Sequence, residues 1–371
     1  MTTSIDVIIP SYRLIAATLL PILKLEKPAG VEVRFYIIAD NPAISVDKTI
    51  LDIIDDRNVF LLINPVNMGA SATRNRGIEA GKGSWLLFLD DDIDVPPNLL
   101  QTYANAAIAH PNEPGFIGVV DMPPAPTLFA DAVQTNGSMG VFTVARQKDS
   151  FAWGATANIM VSRQAVGEVR FSDDYPKSGG GEEVEFFLRV RERNDFTNYR
   201  SLPDAAVTHP WWGNGKTDLL RFFRYGQGNS FLAARNKIYR WYDFLNTPET
   251  LLIAFVALIA SLHSRIHTSV FAFFAASVII EYIVTVTRVY RINRKVSPVL
   301  AWYVMLLRNV YEAGILYGNL KRRRLAGFGE RFNYEGAVKQ HNFRLNRFKI
   351  IKLALYIIAV VLTWKCVYTS R

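Results

Sequence analysis

Ser84-Trp85-Leu86-Leu87-Phe88-Leu89-Asp90-Asp91-Asp92 sets five apolar residues directly against three carboxylates. A short, continuous apolar run bounded by turn residues reads as a fully buried strand. Three acids at its end repel one another and raise each other's pKa unless a cation joins them. Mg²⁺ or Mn²⁺, hard divalent ions with oxygen ligands that bridge readily to phosphates, would relieve the repulsion. The other reading is a solvated acidic turn that leads, through Asp94 and Pro96-Pro97, into the next helix.

Working outward, the same strand-then-polar pattern repeats. Asp6-Val7-Ile8-Ile9 is a short apolar strand ended by Pro10-Ser11-Tyr12, and residues 14–25 then repeat Leu and Ile at helical spacing. Residues 31–39 form a second strand, ended by Asp40-Asn41-Pro42. Residues 59–63 are a third, followed by a Gly-containing turn and a helix near 70–81. Strands alternating with helices predict an α/β fold with an open, largely parallel sheet. Ligands of such sheets sit beyond the carboxyl ends of the strands, which here carry Ser11, Asp40 and the Asp90, Asp91, Asp92 cluster.

Three spaced motifs then agree in order. Asn67-Met68-Gly69-Ala70-Ser71-Ala72-Thr73-Arg74-Asn75-Arg76-Gly77, Gly81-Lys82-Gly83 and the run 86–92 resemble the nucleotide-sugar-binding half of family 2 glycosyltransferases. The resemblance extends over about residues 4–230, with Thr73 where the family more often has Ala. It implies a GT-A fold (Rossmann-like, mostly parallel), an inverting mechanism, and a nucleotide-sugar donor, usually a UDP-sugar. By it, Asp40 would accept a hydrogen bond from the base, while Pro10, Ser11 and Tyr12 would line base and ribose. Asn67, Gly69 and Asp91 fall in the donor-binding motifs. Asp90 lies near ribose and metal, and Asp92 is a direct ligand of Mg²⁺ or Mn²⁺. Arg74 would meet the sugar or a phosphate, or else pair with the acidic cluster.

Ser178-Gly179-Gly180-Gly181-Glu182-Glu183 is a second chemical centre. Successive glycines let the backbone approach a ligand closely, and acids at a helix start also complement its dipole. The resemblance makes the second acid the catalytic base, here Glu183 where Asp is commoner, with Glu182 orienting the acceptor or the base. A base points to a hydroxyl acceptor, since a phosphate acceptor is already a nucleophile. Gly154-Ala155-Thr156-Ala157-Asn158 is an acceptor-side loop by position. The resemblance also makes His209 a candidate metal ligand, and neutral imidazole suits Mn²⁺. Trp153, Trp211 and Trp212 either stack on sugar rings or pack. Arg221-Phe222-Phe223-Arg224-Tyr225 is similar to the Q-x-x-R-W motif of membrane polysaccharide synthases, in which Arg224 would approach the diphosphate. Arg221 and Tyr225 replace its Gln and Trp, which speaks against processive synthesis, and a basic amphipathic helix on lipid headgroups is the other reading.

The remaining features concern location. The chain has 371 residues, half of them hydrophobic, with a formal net charge of +9. One cysteine, Cys366, excludes an intramolecular disulfide framework and a multi-cysteine metal site. Residues 1–213 hold 18 Lys+Arg against 26 Asp+Glu, whereas residues 214–371 hold 24 against 7. A basic half suits nucleic acid or an anionic membrane surface. Apolar runs between the basic clusters, and no basic-aromatic RNA signature, decide for the membrane and against nucleic acid. Residues 268–286 and 350–364 are expected to span, 251–262 to complete a hairpin with the first, and 297–320 to span or lie in the interface. Arg288, Arg291, Arg294, Lys295 and the run Lys321-Arg322-Arg323-Arg324 mark a cytoplasmic side. With no signal peptide before β-like residues 6–9, the N-terminal half is expected in the cytoplasm, at the inner cell membrane.

The expected organisation is a GT-A domain over 1–235, with a nucleotide-sugar half over 1–125 and an acceptor half over 126–235, then interfacial and transmembrane helices over 236–371. The expected activity is that of a membrane-bound inverting hexosyltransferase. It would move a sugar from a UDP-sugar to a hydroxyl of a lipid-linked saccharide or glycolipid, in polysaccharide or glycolipid synthesis. A polyprenyl-phosphate glycosyltransferase and a non-catalytic membrane partner of a polysaccharide assembly are the alternatives.

Overall fold

The apolar runs of the N-terminal half are strands of one mostly parallel sheet in the computed structural model, which describes residues 3–338, 343–344 and 346–369. The strands are β1 (Ser4–Ser11), β2 (Glu32–Ala39), β3 (Val59–Ile63), β4 (Trp85–Leu89), β5 (Gly115–Asp121), β6 (Ser150–Phe151), β7 (Asn158–Ser162) and β8 (Tyr199–Thr208). Their order is β3-β2-β1-β4-β7-β5-β8-β6. The helices between them are α1 (Ala16–Leu23), α2 (Lys48–Leu51), α3 (Ala70–Ala80), α4 (Leu99–Ala109), α5 (Leu128–Thr135), α6 (Arg163–Val166) and α7 (Glu182–Arg193).

Register sets where the chemistry falls. β1 runs parallel to β2 from Ser4↔Glu32 to Ser11↔Ala39, and parallel to β4 through Ile8↔Phe88. The carboxyl ends of all three therefore share one edge of the sheet. β7 lies antiparallel to β4 with Leu89 opposite Asn158, which sets residues 154–157 at that same edge. Asp94 and Thr208 exchange backbone hydrogen bonds of 2.8 and 2.9 Å, so the chain leaving β8 passes beside the chain leaving β4. α7 is fixed by aromatic packing. Phe186 stacks on Phe171 with centroids 3.9 Å apart, and Phe88, Phe187 and Tyr199 close around them edge-on.

Gly81 and Gly83 have a structural cause. A Cβ at either position would fall within 3 Å of the carboxylate of Asp6. That buried carboxylate accepts the Gly83 N–H at 2.5 Å and pairs with Arg163 at 2.7 Å.

The chain divides into two compact units: Met1–Ala125, Met139–Asn214 and Tyr334–Ala337 around the sheet, and Pro126–Ser138, Gly215–Asn333 and Val338–Arg371 among helices. α8 (Leu219–Arg235), which the sequence reading counted with the acceptor half, belongs with the helices it packs against. The others of that unit are α5, α9 (Thr247–Ala260), α10 (His267–Asn293), α11 (Pro298–Lys321) and α12 (Arg347–Thr369), with a small hairpin of β9 (Arg240–Tyr242) and β10 (Glu330–Phe332). α8 and α11 meet at backbone contact, because Gly226 faces Tyr311 and Gly314, while Gly318 faces Ser230. Small residues at such a crossing allow the close approach seen between membrane helices.

α10 and α11 are the two described helices long and apolar enough to cross a membrane. α11 covers the stretch 297–320, for which the sequence left spanning and lying in the interface as two readings. α9, at 14 residues, is too short to cross. Residues 350–364 lie within α12. Ile253, Phe255 and Val256 on α9, Phe271 and Ile279 on α10, and Ile357, Ile358 and Val361 on α12 are each about half exposed or more. So extended an apolar surface marks a membrane or protein contact.

Candidate active site

The Asp90, Asp91, Asp92 turn is the natural place to begin, because the end of β4 aims each carboxylate at a different partner. Asp92 and Asp90 face His209, whose Nε2 lies 3.4 Å from Asp92 Oδ1 and 3.7 Å from Asp90 Oδ2. One ligand atom from each of the three lies within 4.8 Å of the others. His209 is 4% exposed and enters this group because its backbone N–H is held by Asp121 O at 2.8 Å. Its Nδ1 is 2.6 Å from the Pro210 carbonyl, which can only accept, so Nδ1 carries a hydrogen and Nε2 is the atom turned toward the acids. That arrangement, fixed from behind, is the one a metal-binding imidazole takes. Two carboxylate oxygens and one imidazole nitrogen suit Mg²⁺ or Mn²⁺, so these residues fit a divalent cation.

Asp91 turns the other way. Its Oδ2 accepts the Ser11 hydroxyl at 2.5 Å, and Ser11 Oγ accepts the Leu14 N–H at 3.0 Å. Burial, reinforced by the charges of Asp92 and Asp90, pushes the Asp91 carboxyl up to about 6 against the pull of the Ser11 hydrogen bond. Burial likewise raises Asp90, opposed by Arg74 and His209 and assisted by Asp92. Arg13, which the sequence reading did not single out, brings its guanidinium to 3.3 Å from Asp92 Oδ2. Only its exposure would have marked it, and exposed arginines are common.

The expected base-binding residues divide into those that line space and those that shape it. Pro10 is the penultimate residue of β1, opposite Ile38, and Tyr12 stands 54% exposed just beyond the strand. Asp40 is buried and accepts three N–H donors: Asn64 Nδ2 at 2.8 Å, Met68 N at 2.7 Å and Gly69 N at 2.8 Å. A carboxylate offers about four lone-pair sites, so Asp40 spends most of its capacity folding the 64–69 turn. Gly69 has φ of +88° and abuts Lys177, leaving no room for a side chain there. Lys177 in turn donates to the Asn67 carbonyl at 2.8 Å. The loop before α3 and the loop before α7 are thereby joined.

Gly179, Gly180 and Gly181 all have positive φ, at +86°, +140° and +108°. This left-handed run brings Glu182 and Glu183 onto α7 with different surroundings. Glu182 is buried: its Oε2 accepts the Gly180 N–H at 2.7 Å, and its Oε1 lies 3.3 Å from Arg74 Nη1. Arg74 reaches on to Asp90 at 3.9 Å, and its buried Nε has no hydrogen-bond partner among the described residues. Both readings of Arg74 meet here: it pairs with acids and still holds a donor free for an anion. Glu183 Oε2 accepts two hydrogen bonds from Thr156, from N at 3.1 Å and from Oγ1 at 3.0 Å. Burial, helped by the neighbouring Glu182 charge, pushes the Glu183 carboxyl up to about 7, against Arg74 and Thr156. A carboxyl with a pKa near neutrality suits proton transfer.

Thr156 is the residue that sequence reading placed only as part of a loop. Its signal was a lone hydroxyl among small residues just before an apolar strand. The three tryptophans resolve differently from a sugar platform. Trp211 donates to Pro123 O at 2.9 Å and Trp153 to Tyr334 O at 2.7 Å, both as packed side chains, while Trp212 lies edge-on to His209. Arg224 lies on α8 in the helical unit and is therefore not among the residues that the sheet unit gathers.

Residues 6–142 match the model of a family described as Glycosyl transferase family 2. A solved structure titled "Crystal Structure of a Mycobacterial Protein" is 13% identical, covers 63% of this chain and 74% of its own, and superposes with a TM-score of 0.44. No curated protein is similar enough to match.

Proposed function

We propose, because residues 6–142 match the model of glycosyl transferase family 2, that the chain is a glycosyltransferase with a nucleotide-sugar donor and, more finely, an inverting, membrane-bound hexosyltransferase. The donor is a UDP-sugar, and the acceptor is a hydroxyl of a lipid-linked saccharide or glycolipid. One observation carries the hydroxyl acceptor: a carboxylate oxygen of Glu183 is held twice by Thr156, while burial and the Glu182 charge push its carboxyl up to about 7. Such a group takes up a proton at neutral pH, which a phosphate acceptor does not require.

In the reaction, the free Oε1 of Glu183 accepts the proton of the acceptor hydroxyl as its oxygen attacks the anomeric carbon. The nucleoside diphosphate departs from the opposite face, so an α-linked donor yields a β-glycoside. Glu182 and Arg74 keep Glu183 in register with the donor site, and the free Arg74 Nε is available to a donor oxygen. Asp90, Asp92 and His209 would hold Mg²⁺ or Mn²⁺. Bound there, the ion would supply positive charge against the charge growing on the leaving diphosphate. Ser11, Tyr12, Pro10 and Asp91 line the nucleoside, while Asp40, Asn67 and Gly69 shape the turn beside it.

α10 and α11, the exposed apolar side chains and the basic clusters support a multi-pass membrane setting. By the positive-inside rule the basic end of α10 lies on the cytoplasmic face of the cell membrane, the side we propose for the catalytic domain.

The test is incorporation. Membranes carrying the full chain are given labelled UDP-sugars, and the lipid extract is analysed. The expected product is a labelled lipid in which the new sugar is β-linked to a saccharide, so that mild acid releases no labelled monosaccharide, and which is absent with Glu183→Gln. An acid-labile lipid phosphate sugar would overturn the hydroxyl acceptor, and no incorporation from any UDP-sugar would overturn the donor.

A further inference from the structure

The end of α10 and the start of α12 hold a group of side chains that the transferase chemistry does not use. The guanidinium carbons of Arg288 and Arg291 on α10 lie 5.3 and 5.6 Å from the centroid of the Phe348 ring on α12. That of Arg347 lies 5.3 Å from the same ring. A ring face attracts a cation modestly at an exposed site, by about 0.5–1 kcal/mol, and three like charges drawn to one ring repel each other. Among the described residues no carboxylate pairs with any of the three. Asp243 and Glu281, close to the start of α12, are paired with Lys349 and Lys352, and residues 282–311 and 336–371 contain no Asp or Glu.

The apolar surface begins at this level. Ile283, Tyr290 and Ile292 on α10, and Ile350 and Ile351 on α12, are exposed within two turns of the cluster along their helices. Aromatic and basic side chains bordering an apolar band are what the headgroup layer of a bilayer selects. We propose that Arg288, Arg291 and Arg347, gathered on Phe348, form a binding site for the phosphate of an anionic phospholipid, whose acyl chains lie along the adjoining isoleucines. The shared chemistry is a phosphate oxygen accepting from several guanidinium donors. The lipid is the source because the site opens onto apolar surface. The site rests on the reading that α10 crosses a bilayer.

The test uses the full chain in neutral detergent, followed by thermal unfolding and native mass spectrometry. Phosphatidylglycerol, phosphatidylcholine or inorganic phosphate is added. Phosphatidylglycerol is expected to remain bound and to raise the unfolding midpoint, whereas phosphatidylcholine and inorganic phosphate do neither. Each arginine near an anionic surface contributes about a fivefold gain in affinity. Single Arg→Gln changes should therefore each weaken the preference about fivefold, and Arg288→Gln with Arg291→Gln and Arg347→Gln should erase it. Lys24→Gln with Lys27→Gln and Arg57→Gln removes the same charge from the sheet unit and should leave the preference intact. Equal binding of both lipids, or a preference that survives the triple change, would overturn the site. An equal effect of inorganic phosphate would overturn the lipid as its source. A chain that stays dispersed in water without detergent would overturn the membrane reading itself, a result separate from loss of lipid preference.

Discussion

Thr156→Val removes one hydrogen-bond donor from Glu183 and little else. Valine fills nearly the same volume, and the Thr156 backbone N–H, 3.1 Å from Oε2, remains. What disappears is the hydroxyl at 3.0 Å. A hydrogen bond to a charged group contributes about 1.5–3 kcal/mol. Part of that survives in the protonated form, so the differential loss is about 1.4 kcal/mol, or about one pKa unit. The wild-type carboxyl stands at about 7, and its ionised form loses support in the variant, so its pKa moves upward, to about 8. The acid limb of kcat/KM then shifts to higher pH by about one unit. Near pH 6 the variant should be about tenfold slower, and near pH 8 only about twofold, since the ionised fractions converge there. The assay is nucleoside diphosphate release across this range with the full chain, donor and membrane lipid extract. Loss of activity by the same factor at every pH would refute the link between Thr156 and the base. Thr156→Ser, which keeps the hydroxyl, should restore the wild-type profile.

Three further outcomes follow from the same geometry. Because Glu183 binds its proton more tightly folded than unfolded, its contribution lowers stability as pH rises from about 4.5 toward 7; Glu183→Gln should therefore unfold at a higher temperature than wild type at pH 8, by at most about 3 kcal/mol, and no difference would contradict the buried carboxyl. Arg74→Met leaves buried Glu182 with only the Gly180 N–H, a loss of about 3–5 kcal/mol; adding Glu182→Gln should recover much of the stability in denaturant titrations without recovering turnover. His209→Ala removes the Nε2 that faces Asp90 and Asp92 and should weaken Mn²⁺ binding at least tenfold by electron paramagnetic resonance titration.

Legibility in the sequence followed the range of the interactions. The junction between β4 and its acids is local, so an apolar run and its polar end were readable in one stretch. The left-handed glycines at 179–181 were readable for the same reason, since only glycine tolerates such backbone repeatedly. The pairing of β7 against β4, and the Asp94–Thr208 exchange that carries His209 to the acids, join residues 69 or more apart in the chain. Nothing in either segment's own pattern announces its partner. Asp40 shows the converse: its position was legible, but its three loop donors appear only when the 64–69 turn is folded around it. Gly81 and Gly83 were readable as a motif, yet their cause is a buried acid at Asp6. In the helical unit, apolar length identified α10, whereas the close crossing of α8 and α11 depends on glycines that are unremarked in either helix alone.

The account's central claim is a cation-dependent nucleotide-sugar site at the end of β4. Calorimetry of UDP binding to the detergent-purified full chain, with Mn²⁺ and again with EDTA, tests it most directly. Binding with Mn²⁺ that disappears with EDTA and in Asp92→Ala is the predicted result. Binding unchanged by EDTA and by Asp92→Ala, or no binding in either condition, would contradict it.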